Sequence, residues 1–418
     1  MSKQLDVYLH DSLAGQLVQD KDGRVTFGYD AGWLNQENSM PLSHSLPLRA
    51  EPYQGRECQG FFAGVLPEEQ NRELIAAILG ISARNDFALL EQIGGECAGA
   101  VTFIPAGSTL PASKPAYRAL SEAELAEILR ELPLRPLMAG TKDIRLSLAG
   151  AQNKLAVHIE QGNISLPLQN APSTHILKPA IPRFDGLVKN EAFCMELAAV
   201  AGLPTARVAT GKCEEIDYLL VERYDRYYPG QGAKPGLTRL HQEDVCQALG
   251  LPPHMKYQNE GGPSLEQCFA LLRDVSSTPA PDVLNLLDAV TFNFLIGNND
   301  AHGKNFSFLY ETVAGPHSTR LAPLYDLVST THYPELSPKM AMRIGSRYAP
   351  RQVKLRHWQD MWRAINVSEN AARKRTIRFA EKLGNILASQ QAGHPVQEEI
   401  AQATAIRVRG VVRELEKS

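Results

Sequence analysis

Hydrophobic period changes along the chain, and this most constrains what it can fold into. Toward the N-terminus apolar residues alternate in short runs, as in Leu5, Val7 and Leu9, or in Val25-Thr26-Phe27 after an Asp22-Gly23 turn signal. That pattern specifies small antiparallel strands. The middle of the chain alternates strands with helices. From His241 onward helical spacing dominates. A chain of this kind is expected to be α+β: a mixed α/β lobe carrying a small β-rich subdomain, then a helical lobe.

Local signals set the expected boundaries. Pro67 opens a helix with Glu68 and Glu69 in its first turn, and Gly80 stops it. Residues 100–104 read as a strand. The Pro-, Ser- and Ala-rich stretch 105–117 reads as a linker. Ser121 and Glu124 form a capping box. Residues 156–160, 175–178 and 217–225 read as strands, and Asn190 as the cap of a helix closed by Gly202. HQEDVCQALG, SLEQCFALLRDV and DVLNLLDAVTFNFLIG read as helices. A hairpin with arms NFSFLYE and TRLAPLYD follows, then three helical patterns within 352–416. The expected domains are an N-terminal subdomain (1–104), the linker (105–117), an α/β nucleotide-binding part (118–236) and a helical lobe (237–418).

Composition excludes some classes. The 418 residues are 44% hydrophobic and 21% charged, with a net charge of −3, so no overall charge draws the chain to DNA or anionic membrane. No pair of the six cysteines has CxxC spacing, and Cys194 and Cys246 lie in apolar helical patterns, as reduced buried thiols would. The first residues are too polar for a signal peptide, and no apolar run approaches the ~20 residues of a membrane span. The expected compartment is the cytoplasm, with no membrane partner.

The strongest chemical signal is GNNDAHGKNFSF, residues 297–308. Asp300 and Asn305 stand in a loop between an apolar helix and a strand, with the D-x-x-x-x-N spacing of a protein-kinase catalytic loop. The carboxylate can orient an acceptor hydroxyl, and the amide oxygen can hold Mg²⁺. Asp326, in LAPLYDLVS, supplies a second hard oxygen for the ion. Lys178 ends the strand HILK, where an amine can reach an ATP phosphate, and Glu191 could pair with it. Glu222, Arg223 and Tyr224 end a strand where a hinge would offer backbone groups to adenine. In RLSLAGAQNK, residues 145–154, the small residues Ala149, Gly150 and Ala151 permit close backbone approach to phosphate. Each element alone has a plainer reading. Asp and Asn favour turns, a strand-end lysine is usually solvated, and Glu191 suits a helix start. Their order along the chain favours one ATP·Mg²⁺ site.

In these motifs the chain resembles the HipA family, the kinase toxins of bacterial toxin–antitoxin modules. The resemblance rests on PLSHSLPL, FFAGVLPE and IGGECAGAVTFIP in the first hundred residues, and on RLSLAGAQNK, THILKP, NEAFC, LLVERYDR, HQEDVCQALG, NDAHGKNFS and PLYDL thereafter. It implies a protein-kinase-like two-lobed fold and an ATP-dependent serine/threonine kinase. Asp300 would be the catalytic base, and Asn305 and Asp326 the metal ligands. ATP would meet Ala149, Gly150, Ala151, Gln152, Asn153, Lys154, Lys178, Glu222, Arg223, Tyr224, His302, Gly303, Lys304, Asn305, Tyr325 and Asp326. Ser147 matches the family's autophosphorylated serine, whose modification expels the loop and stops the kinase. The implied partners are a HipB-like helix-turn-helix antitoxin, operator DNA mainly through it, and an aminoacyl-tRNA synthetase substrate, glutamyl-tRNA synthetase being the best-known case. Two departures stand out: Asn153, where an acidic residue is common, and Asn298-Asn299 ahead of the acid, a change expected to matter little. Two other readings remain open. One is a lipid or small-molecule kinase. The other is an ATP-holding corepressor module, supported by the basic run 373–378 with Arg407, Arg409 and Arg413.

Overall fold

Leu5, Val7 and Leu9 alternate into the core of strand Lys3–Leu9 and are fully buried, as their spacing predicts. The computed structural model describes residues 2–108, 115–229, 236–311, 317–389 and 393–417. It forms two compact units. One comprises Met1–Pro179, Gly211–His254 and Phe308–Ser318; the other comprises Ala180–Thr210, Met255–Ser307 and Thr319–Ser418. Part of the expected linker, 109–114, lies outside the described residues.

In the first unit a five-stranded antiparallel sheet has the order Tyr53–Gln54, Val25–Tyr29, Ser12–Gln19, Lys3–Leu9, Val101–Pro105. Helices Arg56–Gly64, Glu69–Leu79 and Asp86–Ile93 accompany it. Phe62 joins sheet to helix, its ring 5.2 Å from Phe27 and 5.9 Å from Phe103. Each such buried ring contributes about 2–3 kcal/mol. The helix expected from Pro67 starts at Glu69 instead, and left-handed Gly80 ends it as expected.

A second, six-stranded sheet has the order Val208–Cys213, Ile216–Glu222, His175–Pro179, Leu155–Glu160, Asn163–Leu168, Ala116–Ala119. The Ser121–Glu124 capping box forms as read. The stretch HQEDVCQALG does not form one helix. His241–Asp244 is a strand, and Asp244 caps the short helix Val245–Ala248.

Residues on both sides of position 104 belong to the first unit, and buried charge ties them together. The Glu96 carboxylate is fully buried. It accepts from Arg223 at 3.1 Å, from Arg226 at 3.0 Å and from the Ser173 hydroxyl and N–H at 2.9 Å. Asp225 pairs with the same two arginines at 2.8 and 2.9 Å and accepts the Gly99 N–H at 2.7 Å. Burial pushes both carboxyls up, but the facing guanidiniums outweigh it and hold both below the ordinary carboxylate range. The N-terminal sheet's flank and the second sheet thus share one desolvated network.

The second unit is mainly helical: Leu187–Val200, Leu265–Val275, Pro279–Ile296, Leu355–Ala364, Glu369–Ser389 and Pro395–Leu415. Pro279–Ile296 is gripped from two sides. Arg375 holds Asp288 through two bonds of 2.8 and 2.7 Å, and Arg407 donates to the Leu295 carbonyl at 3.1 Å. All six cysteines are free and buried. Among the described residues no helix is long and apolar enough to cross a membrane.

The buried network generates a test. Replacing Glu96 by Gln leaves arginine charge uncompensated, and should lower unfolding free energy by about 3–5 kcal/mol in urea titrations. Both carboxyls titrate lower folded than unfolded, so their contribution is present above pH ~4 and lost as pH falls further. Glu96→Gln should weaken that acid dependence. A variant as stable as the parent contradicts this account.

Candidate active site

Helix Pro279–Ile296 ends at Gly297 in the left-handed region, φ 75°. A Cβ there would lie 2.3 Å from the Thr331 hydroxyl oxygen, so only glycine fits this turn. The loop leaving it is fixed by side-chain amides. Asn298 donates to Asn293 Oδ1 at 2.8 Å, while its own Oδ1 accepts the Asp300 N–H at 3.1 Å. Asn299 donates to the Ser337 carbonyl at 3.2 Å, and its N–H reaches the Thr330 hydroxyl at 2.8 Å. Both asparagines are buried. Asp300 itself is exposed, with Oδ1 accepting the Tyr257 hydroxyl at 2.8 Å.

The chain then tightens into the 3-10 turn Gly303–Asn305. Asn305 Oδ1 accepts the His302 N–H at 3.0 Å, and its Nδ2 donates to Asp326 Oδ2 at 3.1 Å. The Tyr325 hydroxyl donates to the Lys304 carbonyl at 2.6 Å and meets the Ser307 hydroxyl at 2.7 Å. Asp326 has φ 59°, a left-handed conformation that Asp tolerates better than most side chains. Residues from the helix end and from a segment some twenty positions later are therefore joined. Of the expected hairpin, only Ser307–Glu311 and Ser318–Leu321 are strands; residues 322–326 are not.

Glu191 lies in the same unit, buried in helix Leu187–Val200. The expected cap is corrected here. Gly186 caps this helix, and Asn190 sits inside its first turn. Its amide instead clamps Ser329, accepting that residue's N–H at 2.8 Å and donating to its carbonyl at 3.1 Å. The stretch just after Asp326 is thereby tied to the helix.

The remaining expected residues fall in the first unit. Lys178 is buried on strand His175–Pro179, in register with Leu219. Glu222 is exposed. Arg223 is committed inward: its guanidinium serves Glu96 and Asp225, and its N–H goes to the Thr174 carbonyl at 2.9 Å. The Tyr224 hydroxyl bonds Gln242.

The 145–154 loop is held down by residues 65–71. Ser147 is fully buried; its hydroxyl donates to the Val65 carbonyl at 2.9 Å and its N–H to the Glu96 carbonyl at 2.9 Å. The Gly150 N–H donates to the Glu68 carboxylate at 3.1 Å, Asn71 donates to the Ala151 carbonyl at 2.8 Å, and Lys154 Nζ donates to the Ala149 carbonyl at 2.5 Å. The Asn153 Oδ1 is buried without a partner among the described residues. Gln152 is half-buried in the same loop.

A profile of the HipA-like C-terminal domain matches residues 146–387, and one of the HipA N-terminal domain matches 5–104. This chain belongs to the HipA family. It is 47% identical to a putative kinase, Y4mE, of Sinorhizobium fredii, over 92% of this chain and 91% of that one. It is 30% identical to the serine/threonine-protein kinase toxin HipA of Shewanella oneidensis, over 92% of this chain and 88% of the toxin. In a solved complex of the Shewanella HipA, HipB and operator DNA, one chain superposes with a TM-score of 0.83 at 26% identity, covering 99% of this chain and 98% of that one. The HipA fold and a kinase-toxin ancestry are thus established for this chain.

Sequence reasoning missed several residues of the site. Tyr257, Asn298 and Asn299 hold the loop, and Val65, Glu68 and Asn71 hold the 145–154 segment. The Asn298-Asn299 pair is visible in the sequence, where local rules give it no role. Nothing local marks Glu68 as the partner of a loop some eighty residues on. If Asn298 fixes the HipA-type loop here, Asn298→Ala should cost about 1–3 kcal/mol, since it strands a buried acceptor and a backbone donor. Amide hydrogen exchange across 298–305 should accelerate. Unchanged exchange there contradicts the assignment.

Proposed function

We propose that this protein is an ATP- and Mg²⁺-dependent serine/threonine kinase that acts as the toxin of a toxin–antitoxin pair and inactivates itself at Ser147. One observation carries the reading: an exposed carboxylate, Asp300, stands on a loop whose end, Asn305, is hydrogen-bonded to Asp326.

The donor set suits magnesium. Among the described residues no three His, Cys, Asp or Glu side chains cluster as a closed metal cage. Mg²⁺ in kinases takes only one or two protein oxygens and completes its shell with phosphates and water. Asp326 offers a carboxylate, and rotation of the Asn305 amide would turn its oxygen toward the same place. The ion, when bound, neutralises charge on the transferring phosphoryl group. Asp300 would orient the acceptor hydroxyl and take its proton, steadied by the Tyr257 hydroxyl. Lys178, the 149–154 loop and the backbone of 222–224 would hold ATP, with His302 to Lys304 and Tyr325 bordering it. The domain division 1–104, 118–236 and 237–418 belongs to this reading.

The Ser147 contact supports a switch. Its hydroxyl now donates to a carbonyl in a site closed to solvent. Phosphorylation would replace that donor by acceptor oxygens carrying roughly −1.5 to −2 charges. The loop could not then reseat against the Val65 carbonyl, with Glu68 bonded three residues along at Gly150. A HipB-like antitoxin and, through it, operator DNA are the proposed partners, because the Shewanella relative is found in such a complex. An aminoacyl-tRNA synthetase is the proposed substrate class, and the cytoplasm the proposed compartment. The 373–378 run is a weaker DNA surface than its sequence suggests. Arg373 donates to the Leu415 and Lys417 carbonyls, and Arg375 is held by Asp288.

Incubation with Mg²⁺ and γ-labelled ATP should place phosphate on Ser147, and Asp300→Asn should remove at least 99% of that label, about a hundredfold or more. Equal labelling of the two overturns the catalytic assignment. Ser147→Ala should keep ATP binding and escape self-inactivation; phosphopeptide mapping that finds all label elsewhere rejects the switch.

A further inference from the structure

The N-terminal five-stranded sheet and its helices leave an open cleft of about 980 Å³, lined by residues between 17 and 90 of the first unit. It shares no residue with the proposed ATP·Mg²⁺ site. Its volume lies at the upper end of the roughly 300–1,000 Å³ typical of small-molecule sites. The floor is apolar, with Leu17, Phe62, Phe87 and Leu90 all buried there.

Three arginines line the same cleft, each from a different segment. Arg24 ends the turn between strands Ser12–Gln19 and Val25–Tyr29, Arg56 opens helix Arg56–Gly64, and Arg84 precedes helix Asp86–Ile93. Other groups bring these segments together. The Gly55 N–H donates to the Val25 carbonyl at 3.2 Å, which sets Arg24 and Arg56 one residue beyond that bond on either side. Gln19 donates to Asn85 Oδ1 at 3.1 Å and to the Gly23 carbonyl at 3.4 Å, and Asn85 caps the helix that follows Arg84. The rim is thus fixed without using the arginine side chains.

The acids around the cleft are largely committed. Of the two that line it, Asp86 is held by Arg72, and Asp20 accepts the N–H groups of Asp22 and Arg24, both at 2.9 Å. Glu57, beside Arg56, is held by Arg49 at 3.2 Å. Lys21 and Asp22, at the tip of the turn, carry opposite charges. Arg24, Arg56 and Arg84 are exposed, and none of the three has an ion-pair partner among the described residues. A single surface arginine is usually only solvated. Three that converge over an apolar concavity, against the charge of Asp20 alone, concentrate anions there.

We infer that this cleft binds a small organic phosphate, its phosphoryl group on the three arginines and its apolar body on the floor. One guanidinium fork satisfies the two oxygens of a carboxylate. A phosphomonoester offers three oxygens and close to two charges, which suits several forks at once. The exposed amides of Gln54 and Gln59, also lining the cleft, can read hydroxyl or carbonyl groups on that body.

The test titrates phenyl phosphate into the full-length protein by calorimetry, with Mg²⁺ and a non-hydrolysable ATP analogue present to fill the proposed kinase site. Phenyl phosphate should bind about tenfold tighter than inorganic phosphate, because its ring gains apolar contact. Arg24→Ala with Arg84→Ala should weaken it by about tenfold or more, the loss of two charge-assisted contacts. If that pair folds poorly, Arg56→Gln alone should weaken it by about threefold. Lys374→Ala with Arg378→Ala, in the second unit, should change nothing. Absence of saturable binding, or binding that ignores the arginine changes, overturns the inference. Equal affinity for phenyl and inorganic phosphate also overturns it, leaving a bare anion patch. Self-association that the arginine changes abolish, without phenyl phosphate binding, gives the cleft to a second copy instead. None of these outcomes bears on the kinase reading, which labelling of Ser147 tests separately.

Discussion

The hydrogen bond from the Asn305 amide to the Asp326 carboxylate is the interaction on which the chemistry proposed for the second unit depends. It joins two segments that reach the site by different routes. Asn305 arrives on a turn anchored to helix Pro279–Ile296, through Gly297 and the Asn293–Asn298 pair. Asp326 arrives after the bridge between Thr205 and Leu324, and Asn190 holds the chain just beyond it. The left-handed backbone at Asp326 costs on the order of 1 kcal/mol. It persists because anchors on both sides fix the path, and it turns the carboxylate toward Asn305.

Amide side chains suit this job. Asparagine carries donors and an acceptor on a short stem with little rotamer freedom, so it can bridge helix end, loop and neighbouring backbone at once. Asn190, Asn293, Asn298, Asn299 and Asn305 all work this way within one unit. Asp300, for which the reactive role is proposed, is left exposed on a loop whose backbone is already fixed. That division of labour matches the need of phosphoryl transfer for positioning over covalent chemistry.

Much of this was legible in the sequence. The Asp300–Asn305 spacing, the strand-borne Lys178, the Gly80 stop and the strands read at 156–160 and 175–178, found at Leu155–Glu160 and His175–Pro179, follow from period and residue type. Long-range polar contacts were not legible. Asn190 next to Glu191 looks like a cap by local rules, yet a glycine four residues earlier starts the helix and frees Asn190 to hold Ser329. HQEDVCQALG looks helical throughout, yet its first half pairs as a strand. Arg223 is read locally for the backbone it could offer a hinge, yet nothing local shows that its side chain neutralises a glutamate 127 positions earlier. Local propensity is a weak prior where a tertiary partner decides. The loop 145–154 teaches the same lesson, since its small residues signal phosphate binding while the Gly150 N–H is taken by Glu68 and the Ser147 hydroxyl by the Val65 carbonyl.

The central claim is that Asn305 and Asp326 form one divalent-metal seat beside Asp300. Anomalous diffraction from crystals grown with Mn²⁺ and a non-hydrolysable ATP analogue tests it most directly. The account predicts a peak about 2.0–2.3 Å from an Asp326 carboxylate oxygen and from the Asn305 amide oxygen. An ion bound with the nucleotide but touching neither residue would contradict it.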